Sequence, residues 1–591
     1  MKDPVLTSTI LNQEPGKSAG APFMPWLFFL AALLLALPLA YFADIPERDI
    51  ATRYAPMAEA FAAGKWSYAF HPRIPMLYPA LCGVLVRACG TNGFTAAKLL
   101  SAGCFAASVF PLFSIMRRVF GGRTAAGALL VYIVNPFMLR LAGTGLRENT
   151  KCLLLILIVH AVFLIRENPD SFARYLYLGV AAGTVMITRS EMILFCGIVL
   201  FGVMILDARR GMEAMRGVFE AEPAKKKYVP VPYRGLAGTL LTAGIVFLPA
   251  VVNHAVFGLP TPEVRYLTLF ESLFGRAPSL ADAALIAGLT PFAMAAAAKI
   301  LARVFEGKSL KPVLTACGCM FATGVAFLFV RLMLRADSEV MKEFFLTFER
   351  AFDPLWTAPA IVGLAFRFRD RVFSSDEKLL LVFIAVYTGV IALQLLYEQT
   401  LSFSVRYLLP VSPLGFGWTF CGIAVIAGLA ARYVPRVSMR AALTVLLCAY
   451  ILGALFHCLG PILKDYFEPR HKAVRNGTLQ LAALFRANPT AQSQAAQPEF
   501  DLIEYEGCAV PGMFFEQDSK YIVSAYLAGG RRVRDLKNAD FYVSEPDGTL
   551  AAPPDDSWTA IGEPVRMGEE SFCTVFRRIH RGERQGKEAA L

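Results

Sequence analysis

Histidine is scarce in this chain, with six in 591 residues. No two histidines are spaced as His-x-x-x-His and no two cysteines as Cys-x-x-Cys, so the usual ligand spacings of zinc sites are missing. Neither a metal nor an organic cofactor is expected. No glycine-rich loop ending in Lys-Ser or Lys-Thr occurs, which removes the phosphate cradle of a nucleotide-driven pump. Charge is thin as well, at 18% of residues, and no internal repeat of the kind that builds many secondary transporters is visible.

What is there is apolar. The hydrophobic share is 56%, more than a soluble chain of this length would carry. Apolar runs of at least ~18 residues recur from Phe23 onward, each long enough to cross a bilayer as a helix. One is "MPWLFFLAALLLALPLAYF", Met24–Phe42, which is too long for a signal-peptide core and reads as an anchor. The chain therefore reads as a polytopic α-helical membrane protein with about 13 transmembrane helices. The spans are expected near 24–43, 95–116, 122–140, 148–165, 172–187, 191–207, 236–256, 282–305, 312–334, 353–367, 378–396, 408–431 and 440–461.

The formal net charge of +12 does not point to nucleic acid, because the basic residues cap apolar runs instead of pooling in one domain. Membrane lipids are the expected surroundings. With the N-terminus cytoplasmic, Arg117–Arg118, Arg209–Arg210, Lys225–Lys227 and the groups at Arg367, Arg369, Arg371 and at Arg432, Arg436, Arg440 all fall inside. An odd number of spans then puts the C-terminus outside.

The first outer loop, residues 43–94, carries much polar chemistry for its place. Tyr54, Met57, Ala58 and Phe61 recur at helical spacing, Pro56 suits a first turn and Gly64 suits a stop. The spacing predicts an amphipathic helix lying on the membrane, with Asp49 just ahead of its N-terminus. A second interfacial helix is expected near Met76–Val86. Asp49 could take a proton from a hydroxyl whose reaction partner sits in lipid, or it could be a solvated cap. The local pattern leaves both open.

Composition changes after the last span. Residues 1–463 read as the transmembrane domain and 464–591 as an outer α/β domain, about 100 residues of it beyond a linker. A helix is expected near His471–Ala487, then the linker "NPTAQSQAAQ", strands at "FDLIEY", "ADFYVSE" and "SFCTVFRRI", and a helix-like stretch at "DSKYIVSAYL". Cys508 and Cys573 share this domain, either as a disulfide or as two buried thiols.

Several motifs follow one another in a telling order. Asp49 is followed by "TRYA" at Thr52–Ala55, by Gly64–Lys65–Trp66 and by "RIPMLYP" at Arg73–Pro79. Later come "GLREN" at Gly145–Asn149, "ITRSE" at Ile187–Glu191 and "SVRYLLPVSPL" at Ser404–Leu414. In this order they resemble the C-type superfamily of membrane glycosyltransferases, especially its branch of protein O-mannosyltransferases and aminoarabinose transferases. The resemblance implies a multi-pass protein of the bacterial inner membrane with an extracytoplasmic C-terminal domain. It implies a sugar carried on a polyprenyl phosphate and moved, with inversion, to a lipid, glycan or protein acceptor, without a metal. Asp49 matches the general base. Arg73 stands where the family often has Lys at the phosphate; Arg147, Arg189 and Arg406, at the outer ends of spans, are the other candidates to hold it, and Arg48, Arg53, Tyr54, Tyr78, Glu148, Glu191 and Tyr407 are the candidates for substrate binding. Two departures stand out: the family's Asp-Glu pair is Asp49–Ile50 here, and the Asp-to-Tyr spacing is one residue longer. Asp44 and Glu47 are rival bases. A multi-pass lipid or glycolipid transporter, or flippase, is the other reading of so many spans with cations at their outer ends.

Overall fold

The computed structural model describes residues 23–47, 49–65, 75–189, 191–219, 232–257, 280–304, 330, 338–369, 372–398, 405–434, 437–467, 469–487, 512–515, 531–532, 541–544, 558–566 and 572–578. The protein is a polytopic helical membrane protein with a small C-terminal sheet. In chain order, α1 is Met24–Phe42, α2 Ala55–Ala62, α3 Leu77–Cys89, α4 Gly93–Ala107, α5 Val109–Phe120 and α6 Gly122–Ile133. They are followed by α7 Pro136–Thr144, α8 Glu148–Glu167, α9 Phe172–Met186, α10 Met192–Phe219, α11 Tyr233–Phe257 and α12 Leu280–Val304. The last six are α13 Ser338–Ala351, α14 Pro354–Arg369, α15 Ser375–Glu398, α16 Phe416–Tyr433, α17 Met439–Phe467 and α18 Pro469–Ala487. Among the described residues seven helical stretches are long and apolar enough to cross a membrane, or up to eight if one bent pair is a single span. The expected span 312–334 lies outside the described residues.

Lipid offers the backbone no hydrogen bonds, so helices are the form these apolar runs take, and small residues let them pack closely. On α1, Ala32, Ala36 and Ala40 are buried at every fourth position, while Leu27, Leu30, Leu34 and Leu37 point outward. Gly363 of α14 and Gly422 of α16 bring those two helices into backbone contact. A Cβ at Gly422 would lie 1.8 Å from the Pro359 carbonyl oxygen, and one at Gly363 2.1 Å from that of Trp418.

The stretch 122–140, expected as one span, is two helices, α6 and α7, bent by 52°. Pro136 cannot donate a hydrogen bond to the preceding turn, so the helix stops there. Asn135 starts the next one by accepting from the Met138 amide at 3.1 Å.

The first outer loop also departs from expectation. Its helix α2 is enclosed by protein, with Ala55, Pro56, Met57, Ala58 and Ala60 buried, so it does not lie on the membrane. Helix α3 covers one side of α2. A Cβ at Gly83 would stand 2.8 Å from the Ala58 carbonyl oxygen, so the two helices touch at backbone distance. The start of α4 closes the other side, with Gly93 against Ala55 and its amide donating to Glu59 Oε1 at 2.9 Å. Residues Ile50–Tyr54 form a single π-helical turn, and the α-helix restarts at Ala55 with Pro56 in its first turn. A π-turn accommodates one residue more than an α-turn, which absorbs the extra residue between Asp49 and Tyr54.

At the C-terminus, β1 (Gly512–Phe515) pairs in parallel with β2 (Arg531–Arg532) and β3 (Phe541–Ser544). Strand β6 (Phe572–Arg578) runs antiparallel to β3, to β4 (Trp558–Ala560) and to β5 (Val565–Arg566). Leu481 and Leu484 of α18 close the sheet's core over Phe541, Val543, Val565, Cys573 and Val575. Strands occur within "ADFYVSE" and "SFCTVFRRI", as expected, and α18 matches the expected helix. "FDLIEY", "DSKYIVSAYL", "NPTAQSQAAQ" and Cys508 lie outside the described residues. An ion pair from Arg475 of α18 to Asp44 ties this end of the chain to the start of the first outer loop.

Candidate active site

Three breaks in the helical bundle meet at the first outer loop. One is the α7–α8 turn. Gly145, with φ +77°, ends α7 in the left-handed region, and Arg147 and Glu148 follow at the start of α8. Ser101 Oγ secures this turn by bonding the Leu141 and Leu146 carbonyls at 3.0 and 3.1 Å. The second break lies between α9 and α10, where Arg189 and Glu191 stand. The third is a pair of 3₁₀ turns, Val405–Tyr407 and Leu409–Gly415, leading into α16. Prolines 410 and 413 suit such short turns better than a continued helix.

These breaks converge on Asp49. Arg406 Nη1 lies 2.8 Å from Asp49 Oδ2, and its Nε lies 3.9 Å from Glu148 Oε1. Glu148 is paired with Arg189. Arg189 also reaches Glu191 Oε1 at 3.3 Å, and Lys151 Nζ lies 3.4 Å from the same oxygen. Arg147 sits over the Tyr54 ring at 5.2 Å and donates to the Thr188 carbonyl at 3.4 Å. Tyr407 presents its ring to Arg189, Lys151 and Arg406 at 5.0, 5.8 and 5.8 Å. Thus Asp49, Tyr54, Arg147, Glu148, Arg189, Glu191, Arg406 and Tyr407 form one continuous cluster.

Asp49 does not cap a helix with its side chain. Burial alone would raise its carboxyl, but Arg406, Arg53 and Arg147 outweigh that and hold it below the ordinary carboxylate value. Glu191 is governed the same way: burial pushes it up, and Arg189 with Lys151 pulls it well down.

Tyr78 stands behind the cluster. Its ring meets Tyr54 edge-on at 5.5 Å, and its hydroxyl lies within hydrogen-bond reach of the Ala97 and Gly145 carbonyls. It therefore braces Tyr54 and the α7–α8 turn. Asp44 is engaged by Arg475, away from this group. Arg48, Arg73 and Trp66 lie outside the described residues.

Two residues escaped the sequence reading. Lys151 is fully buried, and Tyr387 of α15 lies beside it at 5.3 Å, donating its hydroxyl to the Tyr407 carbonyl at 2.6 Å. A signal for Lys151 existed: it follows Glu148 by three positions and so shares its helix face.

Four cations of this cluster, Arg147, Lys151, Arg189 and Arg406, face three carboxylates, Asp49, Glu148 and Glu191. Among the described residues the buried Nε atoms of Arg147, Arg189 and Arg406 find no hydrogen-bond acceptor. Such an arrangement favours an anion, because an added acceptor offsets both the surplus charge and the unmet donors. Among the described residues no three His, Cys, Asp or Glu side chains converge as metal ligands, and Glu148 and Asp49 are already engaged by arginines.

The model of the dolichyl-phosphate-mannose-protein mannosyltransferase family matches residues 73–217. No curated protein matches the chain by sequence. Among solved structures, ArnT from Cupriavidus metallidurans bound to undecaprenyl phosphate superposes with a TM-score of 0.50 at 14% identity, over 94% of this chain and 98% of that one. The Archaeoglobus fulgidus oligosaccharyltransferase, in complex with Zn and sulfate, gives 0.52 at 11% identity, over 88% and 68%. The same enzyme tethered to an acceptor peptide gives 0.50 at 12% identity, over 88% and 65%. The chain has the fold of these solved structures, as its motifs implied.

Proposed function

We propose that this protein is a membrane glycosyltransferase that moves a sugar from a polyprenyl phosphate to an acceptor hydroxyl on the outer face of a bacterial inner membrane. The observation that carries the reading is the cation-rich cluster gathered around one carboxylate, Asp49. A polyprenyl phosphate supplies the anion that such a cluster favours, with the prenyl tail left among the helices. The matched ArnT is bound to a ligand of this class.

In the proposed reaction the acceptor oxygen attacks the anomeric carbon from the face opposite the phosphate. The bond from that carbon to the phosphate oxygen breaks, and polyprenyl phosphate leaves with the electron pair. Asp49 takes the acceptor's proton, a role worth roughly 10²–10⁴ in rate. The leaving phosphate gains negative charge as the bond breaks, so Arg147, Arg189 and Arg406 stabilise the transition state more than the bound donor. Arg53, on the same turn as Asp49, adds positive charge beside it. Tyr54, Tyr407, Glu148 and Glu191 orient the guanidinium groups and the sugar. No metal or cofactor enters this scheme.

The test is transfer of labelled sugar from membrane-extracted polyprenyl-phosphate donors by the purified chain, with Asp49→Asn beside it. Donor consumption that falls about a hundredfold in the variant supports both class and base. Equal consumption by both proteins passes the role to Asp44 or Glu47. No consumption with any donor, together with lipid crossing in reconstituted vesicles, replaces the transferase with a flippase.

A further inference from the structure

Exposure within the cluster is graded. The Arg189 and Glu148 side chains are 3% and 1% exposed, and Lys151 is closed off completely. Arg406 and Asp49, by contrast, are each 25% exposed. The Arg406–Asp49 pair is therefore the more accessible part of the cluster. An ion pair of that exposure adds little stability, whereas the two parallel hydrogen bonds of an arginine–phosphate pair are stronger and directional.

Arg406 is also held at a second point. Glu148 lies 3.9 Å from its Nε and the Tyr407 ring 5.8 Å from its guanidinium carbon, so releasing Asp49 does not set the side chain adrift. Its turn is fixed by the Tyr387 hydroxyl. Among the described residues its buried Nε finds no hydrogen-bond acceptor. The other charged groups around Asp49 are Arg53 on the same turn, Arg147 at the start of α8 and Glu47 just upstream.

We propose that Arg406 is a shared partner, held by Asp49 in the empty protein and given up to the donor's phosphate, so that donor binding itself frees the base. The inference rests on the transferase reading above. A carboxylate gripped by an arginine is a weak proton acceptor, and losing that grip restores its basicity only when a sugar is in place. The cluster then acts in sequence: phosphate first, base second.

The experiment uses the full chain in detergent and undecaprenyl phosphate as the probe, with affinity read by calorimetry. Asp49→Asn removes the internal competitor and is expected to bind the probe about five- to tenfold more tightly than wild type. In an Arg406→Gln background, the same Asp49→Asn change should alter affinity less than about twofold, because there is nothing left to share. Equal affinity of wild type and Asp49→Asn overturns the exchange while leaving the transferase reading in place. A gain that persists without Arg406 also overturns it, since simple repulsion between carboxylate and phosphate would then explain the gain. No binding by any protein removes the transferase reading, and this proposal with it. Should Arg406→Gln fail to fold, Arg406→Lys serves: it keeps the charge but not the fork, so the gain should shrink, and an undiminished gain counts against the proposal.

Discussion

Glu148 and Arg189 come from helix ends 41 positions apart, yet each finds in the other its ion-pair partner in the least exposed part of the site. Removing one member leaves the other buried with part of its charge unmatched. Glu148→Ala should destabilise the protein by about 3 kcal/mol, near the lower end for a broken buried pair because Glu191 still faces Arg189. Replacing both with methionine should restore most of that stability without restoring sugar transfer. Thermal unfolding in detergent and turnover, measured on the same preparations, separate the two effects.

The pH dependence follows from the sign of the Asp49 shift. Its folded value is depressed, so the stabilisation from the Arg406 pair is complete above about pH 3.9 and is lost as pH falls through the lower folded value. The acid limb of kcat/KM, which reports the free protein, should lie below the ordinary carboxylate range. The limb of kcat, which reports the donor complex, should lie higher. Arg406→Gln should raise the first and bring the two limbs together.

Deleting Ala51 should convert the π-turn at Ile50–Tyr54 into an α-turn. Because the π-turn takes up one extra residue, Asp49 should keep its direction relative to the helix that follows. Transfer by the deletion variant should therefore stay close to wild type, and a fall of about a hundredfold would show that the π-turn itself positions Asp49.

Gly93→Ala tests how closely α4 must approach the loop. The added carbon would meet the Ala55 carbonyl oxygen at 2.3 Å, so α2 must move, and the π-turn with it. Overpacking of this kind costs about 1–3 kcal/mol. Both the unfolding temperature and kcat should fall, whereas Gly103→Ala on the same helix, which meets nothing within 4 Å, should change neither.

The parts legible in the sequence were those with a strong local signal. Long apolar runs gave the helices, and "GLREN", "ITRSE" and "SVRYLLPVSPL" were marked by an order that resembles that of C-type membrane glycosyltransferases. What joins the motifs is tertiary and has no local mark. Nothing in "DIATRY" announces a π-turn, since its widening depends on α2 being clamped between α3 and α4. The enclosure of α2 was likewise hidden, because an apolar face reads the same whether it meets lipid or protein. The burial of Lys151 has no local mark either, since Glu191 and Tyr387 close over it only in the fold. Strands of two to four residues, such as Val565–Arg566 and Gly512–Phe515, are too short for alternation to show.

The hydrogen bond from Tyr387 to the Tyr407 carbonyl has a consequence for the substrate's other end. It moors the turn bearing Arg406 to a long helix of the bundle, so that on the proposed function the protein, and not the lipid, would set the height at which the donor's phosphate is met. The prenyl tail then has only to fill the space below that fixed point. Donors with shortened tails should lose little affinity, because a tail passes between the protein and lipid or detergent of like polarity, and the geometry at the anomeric carbon should stay the same.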